Sequence, residues 1–140
     1  MADPLTALGA AAAATQFIAY GIKISQALYM IYGKTEGTSA IVKEQKQRIE
    51  DMIAIVSMVE KNPALQADTQ ISSILNSCLI RAKDIQARLE RVSLAEKDGR
   101  MRKLQKNMSA VFNEKETTAI LEDLERWKAS LIMRMESIDV

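Results

Sequence analysis

The sequence predicts an all-α fold, an up-and-down bundle of four to five helices with a buried, mostly apolar N-terminal helix. Three observations support this prediction. The 140-residue chain has only five glycines and two prolines, so few positions interrupt a helix. Apolar residues recur at steps of three and four in several long segments, and no segment alternates apolar and polar residues like a half-buried strand. The length suits one domain over residues 1–140.

The first predicted helix covers residues 4–32. Asp3 is a suitable N-cap, and Pro4 fits the first helical position because proline lacks an amide hydrogen that would be unpaired there. Gly33 is expected to end this helix, since glycine is the favoured residue just beyond a helix C-terminus. A short linker over residues 34–37 follows.

The second predicted helix covers residues 39–61. One stripe of this helix is apolar, and its other face is polar or charged, so this face is expected to contact water. Asn62 and Pro63 end the helix, because proline disfavours helical backbone in the residue before it. The apolar stripe consists of Val42, Ile49, Met52, Val56 and Val59.

The third predicted helix covers residues 68–97 and has the most regular helical pattern in the chain. Its apolar residues alternate steps of four and three, which places them on one side of a helix. Asp98 and Gly99 end it. The stripe consists of Ile71, Leu75, Cys78, Ala82, Ile85, Leu89 and Val92.

Two further helices complete the prediction. A short fourth helix covers residues 100–112, and the fifth begins after Asn113, a suitable N-cap with Glu116 three residues later as in a capping box. The inward residues of the fourth helix are Met101, Leu104, Met108 and Val111. Those of the fifth are Ile120, Leu124, Trp127 and Leu131.

The composition argues against an enzyme. The chain has no histidine and one cysteine, which removes the commonest proton shuttle, the commonest zinc ligand and any internal disulfide. Cys78 lies on the third-helix stripe and is expected in the core. We therefore predict no catalytic residue, no cofactor and no metal. The net charge of +1 and the scarcity of aromatic residues also argue against nucleic acid as a partner.

The first helix has an unusual charge distribution. Residues 4–22 carry no charge, and Lys23 is the only charged residue up to Tyr32. A helix that is apolar on most sides either lies centrally in a protein or enters a membrane. Residues 4–22 would extend about 28 Å, close to the thickness of the hydrocarbon core. Their alanine, glycine, threonine and glutamine gain little from lipid, so a permanent span is disfavoured.

Two interpretations of this helix therefore stay open, a central bundle helix or one that is buried at rest and enters a membrane when released. One face of this helix consists of Phe17, Gly21, Ile24, Leu28 and Ile31, and a neighbouring face consists of Ile18, Ile22, Tyr29 and Tyr32. In the second interpretation, the membrane-targeting residues on these faces are Phe17, Gly21, Ile24, Leu28, Ile18 and Ile22. Leu5, Leu8 and Gly9 extend the segment towards the N-terminus.

A basic cluster precedes the fifth helix. Arg100, Arg102, Lys103 and Lys106 fall within seven residues without an acidic residue among them. This pattern is typical of a solvated helix face. It also fits attraction to anionic lipid headgroups, at about 1 kcal/mol for each basic residue near a membrane surface.

Three stretches together resemble a known family in their order, lengths and character. They are the starting helix MADPLTALGAAAAATQFIAYGIKISQAL, the middle helix ISSILNSCLIRAKDIQARLERV, and the C-terminal pair RMRKLQKNMSAVFNEKETTAILEDLERWKASLIM. Together they cover nearly the whole chain, although none is a sharp motif. The chain resembles the SesA and HeLo-like cell-death domains at the N-termini of fungal NLR-like (STAND) receptors.

The resemblance implies a function in programmed cell death, innate immunity and heterokaryon incompatibility. In such receptors a nucleotide-binding module clusters the helical domains, whose first helix then attacks the membrane. The implied partners are other copies of the domain and membrane lipids, particularly anionic ones. The implied location is the cytoplasm at rest and the plasma membrane after activation. The 140 residues contain no nucleotide-binding module, and neither end carries a visible amyloid signalling motif.

A second function remains open beside this one. The bundle would then be a non-lytic oligomerisation module that binds itself or a helical domain of a partner protein. The charged outer face of the second helix, with Lys43, Lys46 and Arg48, motivates this alternative.

Overall fold

The computed structural model describes residues 9–34, 40–95, 110–111 and 114–138, with side chains described for residues 9–29, 43–91, 110, 111 and 114–138. Every regular element in these ranges is a helix, which confirms the predicted all-α class. The helices are α1 (Ala10–Lys34), α2 (Ala40–Glu60), α3 (Pro63–Gln66), α4 (Thr69–Ala95) and α5 (Lys115–Ile138).

The four long helices form a bundle in which α1 and α5 lie on opposite sides. α1 packs against α2 and α4, and α5 packs against the same two helices from the other side. Thr15 near the start of α1 meets Glu60 at the end of α2, so these helices are antiparallel. Arg134 near the end of α5 meets Asp68 before α4, so this pair is antiparallel too. The short α3 closes the end of the bundle where α2 ends and α4 begins.

The predicted stripes form the core. The α4 stripe from Ile71 to Leu89 is buried at every described position, with Cys78 fully enclosed, as predicted. Burial raises the pKa of the Cys78 thiol to about 12, so this thiol stays protonated and unreactive at neutral pH. The other buried stripe residues are Ile49, Met52, Val56 and Val59 of α2 and Ile120, Leu124 and Leu131 of α5, while Trp127 is partly buried. The Val42 and Val92 side chains lie outside the described set.

The structure corrects two predicted boundaries and adds one short helix. Gly9 lies before α1, which begins at Ala10, and the Gly9 carbonyl oxygen accepts the amide of Ala13 as the first helical hydrogen bond. Gly33 does not end α1, because the helix continues to Lys34. The sequence analysis also missed α3, in which the Asn62 side chain accepts the amide hydrogen of Ala64. Asn62 and Pro63 therefore end α2 as predicted and also begin the next helix.

The predicted fourth helix and the capping box lie mostly outside the described residues. Within residues 100–112, only Ala110 and Val111 are described, and both are helical. Val111 is buried, as predicted. Asn113 is not described. The Glu116 carboxylate accepts a hydrogen bond from Arg88 of α4 at 3.0 Å, which ties the start of α5 to α4.

Asp68 joins the start of α4 to the end of α5. Its carboxylate accepts the amide hydrogen of Ile71 at 2.9 Å as the α4 N-cap, and its other oxygen lies 2.7 Å from the Arg134 guanidinium. The bond from Arg134, followed by that from the Ile71 amide, holds the pKa of Asp68 below its ordinary value of 3.8. Asp68 therefore stabilises the bundle in its charged form.

We expect Asp68→Ala to lower the free energy of unfolding by about 1–2 kcal/mol, because an N-cap bond and a partly buried ion pair are lost together. Asp68→Asn is the matched control, since asparagine keeps the cap and loses only the charge. Because the folded pKa is depressed, the charge contribution is complete above about pH 4 and disappears as the pH falls below it. Urea unfolding of both proteins between about pH 2 and pH 7 measures this. A pH-independent difference between wild type and Asp68→Asn would contradict it.

Candidate functional site: the two faces of the first helix

The inner face of α1 is apolar and fully packed. Phe17, Ile24 and Leu28 have no exposed surface and lie on the side of α1 that packs against α2 and α4. Small residues at Ala10, Ala13 and Ala14 continue the same face towards the start of the helix. Gly21 is also buried on this face.

The outer face of α1 is exposed and nearly free of charge. Among the described side chains of this face, Lys23 is the only charged one, and the rest are alanines, uncharged polar residues, isoleucine and tyrosine. Ile22 and Tyr29 are 44% and 63% exposed, although both are large and apolar in character. The other exposed residues of this face are Ala11, Ala12, Thr15, Gln16, Ala19 and Gln26.

The expectation that α1 is buried therefore holds along one face only. Among the predicted membrane-targeting residues, Phe17, Gly21, Ile24 and Leu28 lie on the inner face, and Ile18 is partly buried against the core. Gly9 and Ile22 are exposed. Leu5 and Leu8 lie outside the described residues. The sequence separated the face of Phe17 from that of Ile22 but did not show which of them is exposed, because charged side chains usually mark the solvent side and only Lys23 marks it here.

The other long helices have strongly charged outer faces. On α5, Arg126 pairs with Asp123, and Lys128 pairs with Glu125 at 2.7 Å. On α2, Arg48 pairs with Glu44, and Lys46 pairs with Glu50. Two of the three α2 basic residues that motivated the interaction-module hypothesis are thus paired within their own helix. Among the described side chains, the outer face of α1 is the only long exposed helix face with so little charge.

Besides packing, the described side chains of α1 make polar contacts with α2, two of which are hydrogen bonds. The Thr15 hydroxyl lies 3.0 Å from Glu60 Oε2, and the Ser25 hydroxyl lies 3.4 Å from Glu50 Oε1. No described side chain of α1 forms an ion pair. Because the helix has no acidic residue and its described side chains include a single lysine, its attachment depends mainly on the buried apolar face.

Gly21 of α1 lies close to Ile53 of α2. A Cβ atom placed on Gly21 would lie 2.9 Å from Cγ1 and 3.1 Å from Cδ1 of Ile53. The absence of a side chain at this position lets the two helices pack closely. A distance of about 3 Å is also the one between a Cβ atom and the partner sulfur across a disulfide, so paired cysteines at residues 21 and 53 would lock α1 onto α2.

Two lysines lie against tyrosine rings along the outer face of α1. The Lys23 ammonium lies 5.9 Å from the centre of the Tyr20 ring, and the Lys46 ammonium of α2 lies 5.9 Å from that of Tyr29. The sequence analysis missed Tyr29 and Lys46 as site residues. The sequence placed Tyr29 on the same face as Ile22, but the position of Lys46 depends on how α2 packs.

The remaining predicted features add no second site within the part of the chain that the structure describes. The basic cluster of Arg100, Arg102, Lys103 and Lys106 lies outside the described residues. No group of acidic or cysteine side chains among the described residues is arranged to hold a metal ion.

No described helix has both the length and the apolar character needed to cross a bilayer. Comparison with known proteins found no matching family model, no similar curated protein and no similar solved structure. The two faces of α1 are therefore the observations on which a function is proposed.

Proposed function

We propose that this chain is a membrane-targeting effector domain of the SesA or HeLo-like type, which kills the cell when α1 enters the plasma membrane after oligomerisation. The domain would belong to a fungal NLR-like receptor and would be cytoplasmic at rest. The observation that carries this proposal is the charge distribution of α1. Its inner face is apolar, Lys23 is the only charged residue among the described side chains of its outer face, and no acidic residue occurs anywhere along it.

A helix with two such faces has little charge to desolvate on entering lipid. The inner face would supply Phe17, Ile24 and Leu28, whose burial in hydrocarbon contributes about 1.5–3 kcal/mol for each side chain. These residues are now buried in the core, so the same contacts hold the resting state. Lys23 has a long stem that lets its ammonium reach the headgroup region. The inner face of α1 can therefore be buried either in the bundle or in lipid, and these two states compete.

Oligomerisation would let α1 enter the membrane despite its polar residues. Release of α1 exposes the apolar sides of α2 and α4, and large exposed apolar patches favour association. The polar residues Thr15, Gln16 and Gln26 of α1 disfavour a lone span, in agreement with the absence of a membrane-crossing helix among the described residues. In an assembly, neighbouring copies of α1 would shield these polar groups from lipid.

Dye release from lipid vesicles tests this proposal. We expect the chain fused to a trimerising coiled coil to release dye from vesicles of phosphatidylcholine and phosphatidylserine, while the unfused chain releases little at the same protomer concentration. Vesicles of phosphatidylcholine alone should release less dye, because anionic lipid attracts the basic cluster of Arg100, Arg102, Lys103 and Lys106. Circular dichroism confirms that both proteins are folded. A folded, clustered chain that binds vesicles without releasing dye would contradict the proposal.

The spacing of small residues on α1 favours the second candidate function, a non-lytic interaction module. Ala11, Thr15 and Ala19 are exposed and four residues apart, which lets another helix approach closely. The same vesicle experiment separates the two functions. Self-association in sedimentation experiments without any dye release would favour the interaction module.

A further inference from the structure

α1 and α5 are attached to the bundle in different ways. Both helices cover α2 and α4, from opposite sides, but α1 packs more closely against them than α5 does. Because dispersion forces act only over short distances, packing alone holds α5 less firmly than α1. The buried apolar residues of α5 are Ile120, Leu121, Leu124, Leu131 and Met135.

Charge links α5 to α4 at both ends. Near the start of α5, the Arg88 guanidinium of α4 donates to Glu116 at 3.0 Å and to Glu114, just before α5, at 3.2 Å. Near its end, Arg134 donates to Asp68 at 2.7 Å. The Arg88 and Asp68 side chains are only 17% and 12% exposed, so water screens these pairs less than it screens pairs on an open surface. No described side chain of α1 forms an ion pair of this kind.

A buried hydroxyl near the start of α5 opposes its docking. Thr117 has no exposed surface, and its Oγ1 has no hydrogen-bond partner within the part of the chain that the structure describes. A buried polar group without a partner is costly, because it has lost its hydrogen bonds to water. Moving α5 away from the core returns this hydroxyl to water. The charge links at the two ends of α5 therefore act against a cost that favours undocking.

We propose that α5 is a charge-clamped strap, which undocks from α2 and α4 while α1 stays packed against them. In the closed state, Arg88 and Arg134 hold the two ends of α5 and offset the cost of burying Thr117. In the open state, water hydrates these charges and the Thr117 hydroxyl. Salt screens the ion pairs and leaves apolar packing in place, so the fraction of open strap increases with ionic strength. α5 behaves in this way whether or not α1 enters membranes.

Amide hydrogen exchange of the full chain, measured for each residue by NMR, tests this opening, because a local opening lowers protection only in the part that opens. On changing from about 0.05 M to about 1 M sodium chloride, we expect protection along α5 to fall about threefold or more, while protection along α1 is unchanged or higher. Arg88→Gln/Arg134→Gln should lower protection along α5 about tenfold or more, since both ends lose their links. The salt dependence should largely disappear with them.

Arg126→Gln/Lys128→Gln is the matched control for the two arginine changes. It removes the same amount of positive charge, but both side chains pair within α5 itself, Arg126 with Asp123 and Lys128 with Glu125. These pairs do not link α5 to α4. We therefore expect protection along α5 to fall less than about threefold, as is usual for pairs within one helix.

Thr117→Val tests the strap in the opposite direction. Valine has nearly the same shape as threonine and carries no hydroxyl, so docking no longer buries an unpaired polar group. We expect protection along α5 to rise about threefold or more. In the Arg88→Gln/Arg134→Gln background, the same change should restore part of the lost protection.

Three results would overturn the strap. In the first, high salt would lower the protection of α1 and α5 together, which would show that the bundle opens as one cooperative unit. In the second, the two pairs of glutamine changes would lower protection along α5 equally. In the third, Thr117→Val would leave protection along α5 unchanged or lower it. These measurements contain no lipid, so the dye-release experiment remains a separate test of the proposed function.

Discussion

Phe17→Ala is expected to lower the free energy of unfolding by about 3–5 kcal/mol, the usual cost of emptying a buried phenylalanine site. The Phe17 ring has no exposed surface and lies in the core that α1 shares with α2 and α4. A domain of this size is typically stable by about 5–15 kcal/mol, so the loss is a large share of the total. Urea unfolding followed by circular dichroism measures it.

Tyr29→Ala is the matched control for this prediction. It removes an aromatic side chain from the same helix, but Tyr29 is 63% exposed, so the expected change is within about 1 kcal/mol. A loss below about 1 kcal/mol for Phe17→Ala would show that α1 is not an integral part of the folded bundle. It would also remove the competition between core and lipid on which the proposed release depends.

The burial of Phe17 in the core also limits which experiments can test the function of α1. Deleting residues 2–22 would remove Ala13, Ala14 and Phe17 and uncover the apolar sides of α2 and α4. A loss of activity in such a truncated chain would therefore report unfolding as readily as the loss of a membrane-active segment. Substitutions and a reversible lock leave the full chain in place.

The fold was largely predictable, because regular spacing of apolar residues reports one buried side of a helix. The stripe from Ile71 to Leu89 is buried at every described position for this reason. The ion pair between Asp68 and Arg134 was not predictable, because it joins residues 66 positions apart and depends on how α4 and α5 pack. The short α3 was missed because Asn62 and Pro63 were interpreted only as a helix end.

The candidate site was only half predictable. The sequence identified α1 by its lack of charge, but this same lack removed the marker that separates an inner from an outer face. Phe17 and Ile22 both fit an apolar face by spacing, yet the first is fully buried and the second is 44% exposed. Only the packing of α2 and α4 against α1 determines this difference.

A reversible lock between α1 and α2 is expected to have the largest effect on activity. In the clustered Gly21→Cys/Ile53→Cys protein, oxidation should abolish dye release, because the disulfide prevents α1 from leaving α2. The geometry supports such a bond, with the Gly21 Cβ position 2.9 Å from Ile53 Cγ1. Cys78 does not compete for the new cysteines, since it is buried in the core. The two single-cysteine variants control for the substitutions themselves.

The most direct test of the central claim, that α1 must leave the bundle to act, is dye release by this protein before and after reduction. We predict that the oxidised form releases no more dye than buffer, and that adding a reductant restores release to the level of the single-cysteine variants. The reductant should not change release by the parent chain. Equal dye release by the oxidised and reduced forms, with disulfide formation verified by mass spectrometry, would contradict the claim and show that α1 acts without leaving α2.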